Sequence, residues 1–355
     1  MADLTDAIGA QIKNAFSHQQ PLRLRGHGSR GIATHLPGAW LELADHSGII
    51  TYHPEELVVT VRCGTPLAEL EAELASHGQT LPFLAPMPQG RGTIGGAVAL
   101  GLAGAERPYL GSVRDALLGM RICDGQGEVL HFGGEVIKNV AGFDVTRFMC
   151  GALGSFGVLL ELSLRLMPLP QAQCTLGFAM DIPQALAACS AWVRQGVPIV
   201  AMVHGGEHLI IRLAGGSGAV AASRRQLGGT ELDGALWHEL RHETGGPFAT
   251  GLPPWRIHTR TPPSSLPPNS WLLWEGDLLY VERQTEDASQ DVAALAGSEG
   301  QVLIHGALPP PAPPRYQTLY RRLKQVWDPH HILNQGLWLD EAPHQSASLP
   351  QAQHG

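Results

Sequence analysis

The sequence predicts an α+β fold, on two observations. Short strand-like runs alternate with helix-like runs, without a long parallel repeat of strand and helix. Glycines cluster beside apolar and β-branched runs, first at Arg23 to Gly31 and again between Pro86 and Pro168. Glycine lacks a Cβ and tolerates positive φ, so such clusters suit backbone that approaches a large ligand closely. Two separated clusters with few charges between them suggest a long, phosphate-bearing ligand threaded through one domain.

Each element follows from local pattern. Leu4, Ala7, Ile8, Ile12 and Phe16 recur at helical spacing, which predicts a helix over 3–18 that ends before Pro21. Leu22 to Leu24, Trp40 to Leu43, Ile49 to His53 and Val58 to Arg62 read as short strands. Gly26, Gly28 and Gly31 fit G-x-G-x-x-G, but that fingerprint needs a helix after its last glycine. Pro37 and Gly38 break any such helix, and a strand begins at Ala39. A strand–loop–strand whose successive N–H groups form an anion nest fits better than a nicotinamide-type turn. Thr65 and Pro66 read as the cap and first turn of a helix through Ser76, with Gly78 as its stop. TIGGAVALGL reads as a short helix or turn over the ligand. Leu117 to Cys123 and Val129 to Phe132 flank DGQG as a hairpin, and the later part of Phe156 to Met167 alternates as a strand should.

The character changes over 171–310. Ile182 to Gln195 and Val220 to Leu227 read as helices. Val200 to His204 and His208 to Leu213 read as paired strands around GGE, followed by a strand at Ile257 to Thr259 and a pair near Trp271 to Val281. PPPAPP at 309–314 reads as a stiff linker. Tyr316 to Trp327 is then helical, with Leu319, Leu323 and Val326 on one face, and should return to the first domain. The expected division is a ligand-binding domain at 1–170, a small α+β cap at 171–310, a returning segment at 315–340 and a disordered polar tail at 341–355.

Composition narrows the class. With 355 residues, 44% hydrophobic and 16% charged, the chain reads as globular and large enough for two domains. A net charge of −8 argues against a sequence-independent nucleic-acid grip. No apolar run reaches membrane-span length, and the N-terminus lacks a signal-peptide pattern, so a cytoplasmic chain is expected. Peripheral attachment to the inner face of a membrane through partners stays compatible with that. Cys63, Cys123, Cys150, Cys174 and Cys189 have no CxxC spacing and read as buried reduced thiols.

Several segments, in order, carry a resemblance. RGHGS, TYHPEELVVTVRCGTPLAELEAELASHGQTLP, TIGGAVALGLAG, YLGSVRDALLGM and GALGSFGVLLELSLRLMP resemble the FAD-binding domain of the vanillyl-alcohol oxidase and p-cresol methylhydroxylase superfamily. KNVAGFDVTRFMCGALGSFG, PPWRIHTRTPP and LKQVWDPHHILNQG are most similar, within it, to the E-type FAD-binding subunits of bacterial glycolate oxidases. The similarity is dense over 20–170, patchy through the middle and present again at 315–338.

The resemblance implies a two-part FAD domain and assigns residues within it. Main-chain groups of Arg25, Gly26, His27, Gly28 and Ser29, with the Ser29 hydroxyl, would hold the pyrophosphate. His27 stands where the family usually has glycine, off the offset of covalent flavin-linking histidines, so non-covalent FAD is expected. Pro86, Thr93, Ile94, Gly95 and Gly96 would lie along the isoalloxazine and ribityl chain. Ser112, Val113 and Asp115 would form a further patch, with Arg114 either offsetting phosphate charge or pairing at the surface. Lys138 would sit near the flavin. Gly151, Gly154, Ser155, Gly157 and Val158 would place backbone against adenine and ribose. Asn334, in a tail motif where Gln335 replaces the usual proline, would return towards the flavin or simply cap a turn.

Catalytic residues are not evident. Relatives that oxidise 2-hydroxy acids carry H-x-G-D-G-N-x-H, and the nearest segment here is IHGALPPP, with His305 and Gly306 but no acidic residue or second histidine following. No metal site is expected. Arg256 and His258 have the chemistry to bind a carboxylate and move a proton; they equally suit a strand packed at a domain seam. The expected function is an FAD-binding subunit of a glycolate oxidase complex, with a second flavin subunit and an iron–sulfur subunit as partners. A self-sufficient 2-hydroxyacid dehydrogenase and a subunit with a vestigial flavin site are the alternatives.

Overall fold

The structure, a computed structural model, describes residues 2–134, 144–259, 261–283, 301–304 and 313–338. The chain begins with α1 (Thr5–His18), β1 (Leu22–Arg25), β2 (Ala39–Glu42), β3 (Ile49–His53), β4 (Val58–Arg62), α2 (Leu67–Ser76), β5 (Gln79–Thr80) and α3 (Ile94–Leu100). The short turns α4 (Arg107–Leu110) and α5 (Val113–Ala116) lead into the hairpin β6 (Leu117–Cys123) and β7 (Val129–Gly133), then α6 (Val145–Met149), β8 (Val158–Arg165) and β9 (Met167–Pro168). β3, β4, β8, β6 and β7 form a five-stranded antiparallel sheet in that order, while β1 and β2 pair in parallel beside it.

A second sheet contains β10 (Ala172–Ala179), β11 (Ile199–Gly205), β12 (His208–Gly215), β13 (Thr230–Leu232), β14 (Trp255–His258), β15 (Ser270–Leu273), β16 (Leu278–Val281) and β17 (Gln301–Ile304). Their order is β13-β10-β12-β11-β15-β16-β14-β17. Helices α7 (Ile182–Arg194), α8 (Ser217–Leu227) and α9 (Ala235–His242) accompany it, and α10 (Pro314–Trp327) follows. β10, β13, α9 and β17 lie where sequence pattern predicts no element. Mixed helix and antiparallel sheet bear out the α+β class. PPPAPP lies largely, and the tail after Asp340 wholly, outside the described residues.

Two details differ from expectation. Thr65 does not cap α2; its hydroxyl donates to Arg62 O (2.7 Å) and accepts the Gly48 N–H (2.8 Å), tying two turns together instead. α10 buries a different face. Leu319 and Val326 are 51% and 64% exposed, whereas Gln317 and Lys324 are buried. Lys324 can be buried because its ammonium meets a carboxylate and two backbone carbonyls, which repay its desolvation.

Two ion pairs join the sheets close to the candidate site. Arg30, in the loop after β1, pairs with Glu243 just beyond α9, and both side chains are nearly buried. Arg241 of α9 reaches Glu71 of α2 at 2.5 Å and donates to Ala85 O at 3.3 Å. These contacts seat the second sheet over the glycine loops.

Candidate functional site

A cavity of about 540 Å³ is built on the first glycine cluster. β1 delivers Arg25, Gly26, His27, Gly28 and Ser29 to its wall; α3 delivers Thr93, Gly95 and Gly96; Pro86, Gly154, Gly157, Val158 and Asn334 complete it. Gly28 has φ +64°, which an L side chain adopts only with strain. The backbone N–H groups of His27, Gly28 and Ser29 donate to no other described residue. Successive N–H groups without a described partner beside a cavity are compatible with an anion nest. The G-x-G-x-x-G trap is also resolved: Gly31 opens a short 3₁₀ turn, Ile32–His35, that leads into β2.

Other expected residues play structural parts. Ile94 and Val113 are core side chains with no exposure. The Ser112 hydroxyl and N–H both donate to Asp115 Oδ2 at 2.8 Å, so this pair forms a helix-capping box and has no hydroxyl to spare for phosphate. Ser155 is buried and does not line the cavity. The amides of Ile94, Gly95 and Gly96 already donate to Thr65 O, Cys63 O and Thr93 Oγ1. Gly95 is therefore small for packing: a Cβ there would lie 2.5 Å from Cys63 Cβ. Lys138 and His305 lie outside the described residues. Arg91, which sequence reasoning missed, stands beside the nest and donates to His27 O at 3.2 Å; its signal was the lone charge in PQGRGTIGG.

Asn334 is held by three bonds. Its N–H donates to Leu22 O (2.9 Å), its Oδ1 accepts the Leu24 N–H (2.9 Å), and its Nδ2 donates to Leu153 O (2.6 Å). The substitution Gln335 for proline leaves this wall firmly seated.

A second cavity of about 540 Å³ shares Arg30, Ile32, Leu100 and Leu153 with the first. Ser112, Gly151, Arg107, Arg114, Arg256, His258 and Trp274 line it. Arg256 and His258, two apart on β14, present the same strand face. Arg256 is 8% exposed, and its Nε has no hydrogen-bond partner. Its guanidinium lies 5.4 Å from the Trp274 ring centre, and that of Arg107 lies 4.5 Å from the same ring. Among the described residues neither arginine has a carboxylate within ion-pair distance, so a carboxylate ligand would supply the missing charge.

The His258 ring stands 5.7 Å from Trp274. Burial first, then the charges of Arg256 and Arg107, pushes its pKa from 6.5 down to about 4. At neutral pH this imidazole is therefore uncharged and a weak base. Between pH 6.5 and about 4 the unfolded chain takes up a proton that folded His258 refuses, so stability must fall as pH falls through that window. In thermal melts from pH 7.5 to 4.5, the protein should lose more stability than its His258→Asn variant. Parallel pH profiles would show that His258 is not held neutral.

No group of three His, Cys, Asp or Glu among the described residues is arranged to hold a metal. None of the five cysteines forms a disulfide; Cys174 is half-buried and the others are buried. No helix among the described residues is long and apolar enough to cross a membrane.

Comparison with known proteins gives the lineage. A family model for the FAD binding domain (FAD_binding_4) matches residues 2–133. Glycolate oxidase subunit GlcE of Escherichia coli (strain K12) is 38% identical over 340 residues, which are 94% of this chain and 97% of that protein. The chain belongs to the GlcE family. Glycolate oxidase subunit GlcD of Bacillus subtilis is 29% identical over 48% of this chain and 37% of its own length. Among solved structures, an alkyldihydroxyacetonephosphate synthase matches with TM-score 0.65 and 16% identity, covering 93% of this chain and 75% of that one, which shows a shared fold.

Proposed function

We propose that this GlcE-family chain is the FAD-binding subunit of a glycolate oxidase complex, supporting oxidation of glycolate to glyoxylate. The observation that carries it is the nest of His27, Gly28 and Ser29 opening into a cavity walled by glycines and Asn334. FAD is the cofactor; when bound, it supplies the acceptor for two electrons and a hydrogen. The nest N–H groups and Arg91 would hold its pyrophosphate, and the wall of α3 would lie along its ring and ribityl chain. Attachment is non-covalent. The assembly includes a second flavin subunit and an iron–sulfur subunit, and peripheral membrane association runs through these partners. Residues 1–170 serve as the FAD domain, 171–310 as the cap and 315–340 as the returning segment.

The second cavity supports a further reading, in which this chain meets the acid itself. Arg256 and Arg107 would hold a carboxylate, whose charge would offset theirs and so help His258 to take the hydroxyl proton. Two arginines and one neutral imidazole lining the same cavity support this reading, without the metal motif. The accessory reading remains the favoured one, because that motif is missing.

One experiment addresses both. The isolated chain should carry yellow flavin that acid precipitation releases into the supernatant; flavin retained in the pellet would disprove non-covalent attachment. Mixed anaerobically with glycolate, it should bleach slowly, and partner subunits should restore fast turnover. Rapid bleaching that Arg256→Ala eliminates would promote the self-sufficient dehydrogenase over the accessory subunit.

A further inference from the structure

α10 presents an apolar and basic face to solvent. Arg315, Leu319, Arg322 and Val326 recur at i, i+4, i+7 and i+11, which places them on one stripe of the helix. Leu319 and Val326 are among the most exposed large apolar side chains described, and Tyr316 beside them is 41% exposed. Two apolar side chains left in water along one helical stripe forgo burial that a partner would supply. Residues 314–327 contain no Asp or Glu, although the whole chain carries a net charge of −8. Arg315, Arg321 and Arg322 have no carboxylate partner among the described residues. The basic charge is therefore local to this helix, and no acidic side chain among the described residues pairs with it.

Another face of the same helix reaches the second cavity. Tyr320 lines that cavity together with Phe148, Phe156 and Trp338. Its ring stands 5.8 Å from Phe156, 6.4 Å from Trp338 and 6.5 Å from Tyr316, whose ring is stacked with it towards solvent. One helix therefore carries both the stripe and part of the cavity wall, and a helix with its side chains is about 10 Å across.

We propose that the Arg315–Leu319–Arg322–Val326 stripe is the docking surface for an acidic, one-electron-accepting protein. This rests on the complex reading above and names the face through which electrons leave. Charge complementarity selects an acidic surface, and apolar side chains interleaved with arginines match the make-up of protein interfaces. The cavity behind the helix adjoins the proposed cofactor cavity through Arg30, Ile32, Leu100 and Leu153, which favours a redox partner. Each glycolate oxidised to glyoxylate gives up two electrons and two protons. The C–H hydrogen would carry both electrons and one proton to the cofactor, and the hydroxyl proton would pass to a base and on to water. Two one-electron reductions of the partner's metal centre would then remove the electrons, and the remaining proton would pass to water.

The test titrates the intact FAD-loaded chain with the purified iron–sulfur subunit by calorimetry, at low and moderate salt. The paired variants are Arg315→Glu with Arg322→Glu, and Leu319→Asp with Val326→Asp. Arg321→Glu, off the stripe, is the control. All the substituted side chains are exposed, so flavin content and melting temperature should match the parent. Both pairs should weaken binding about tenfold or more, and the arginine pair should also flatten the salt dependence. The control should bind as the parent does. Parent-like binding by both pairs would overturn the surface while leaving the complex intact. Failure of the parent itself to bind the iron–sulfur subunit would overturn the complex reading, and the surface with it. Loss in both pairs of self-association, or of binding to anionic phosphatidylserine vesicles, with subunit binding unchanged, would assign the stripe to those occupants and overturn the proposal.

Discussion

Gly28→Val should yield a folded, colourless protein. Gly28 sits at φ +64°, and a β-branched side chain held there costs on the order of 1–2 kcal/mol. Its Cβ would meet only the flexible Arg25 side chain, at 3.0 Å from Cδ, so the core is not disturbed. Relief of the strain would turn the neighbouring amides out of the nest. Gly95→Val should behave differently. Its Cβ would lie 2.5 Å from Cys63 Cβ and 2.7 Å from Cys63 O, so the fold itself should suffer, with insoluble or early-melting protein. Cys123→Ser should keep its flavin, since Cys123 lies in the apolar cluster between α1 and the sheet, outside the cavity lining. Flavin absorbance per folded protein, read beside circular dichroism, distinguishes the three. Full flavin in Gly28→Val would mean that the nest does not hold the cofactor.

Asp328→Ala should cost about 3–5 kcal/mol of stability, in the range for breaking a buried ion pair on one side. Asp328 has no exposure. It accepts the N–H groups of Ile332 and Leu333, each at 2.9 Å, and pairs with Lys324 Nζ at 2.8 Å. Its removal strands the Lys324 ammonium and two amides in the interior. The damage should also reach the cofactor, because Asn334 follows directly after those amides and lines the cavity. Urea unfolding measures the loss, and flavin titration should show weakened affinity. A variant within about 1 kcal/mol of the parent would mean that the clamp is not holding the C-terminal segment. The same carboxylate explains one hairpin residue: a Cβ on Gly125 would lie 2.4 Å from Asp328 Oδ1.

What the sequence by itself determined was mostly local. The span of α1 is legible because Ile8 and Ile12 repeat at helical spacing. β3 and β4 match their expected limits because β-branched runs are bounded by turn residues. The RGHGS turn is legible because positive φ at Gly28 leaves glycine in the sequence. The family is legible because its motifs keep their order. Ser112 and Asp115 were legible only as ligand candidates, because a capping box and a phosphate loop use the same residue types.

Tertiary structure alone decided which chemistry meets. Arg107 and Arg256 stand far apart in sequence, yet both lie over Trp274 because the second sheet folds across the first. The Arg30–Glu243 pair has the same origin. It also decided the buried face of α10. Periodicity finds an apolar stripe, but burial depends on what the rest of the chain offers opposite it. There the chain offers Asp328 and the carbonyls of Ser155 and Leu333, so the lysine goes inside and Leu319 and Val326 stay in water.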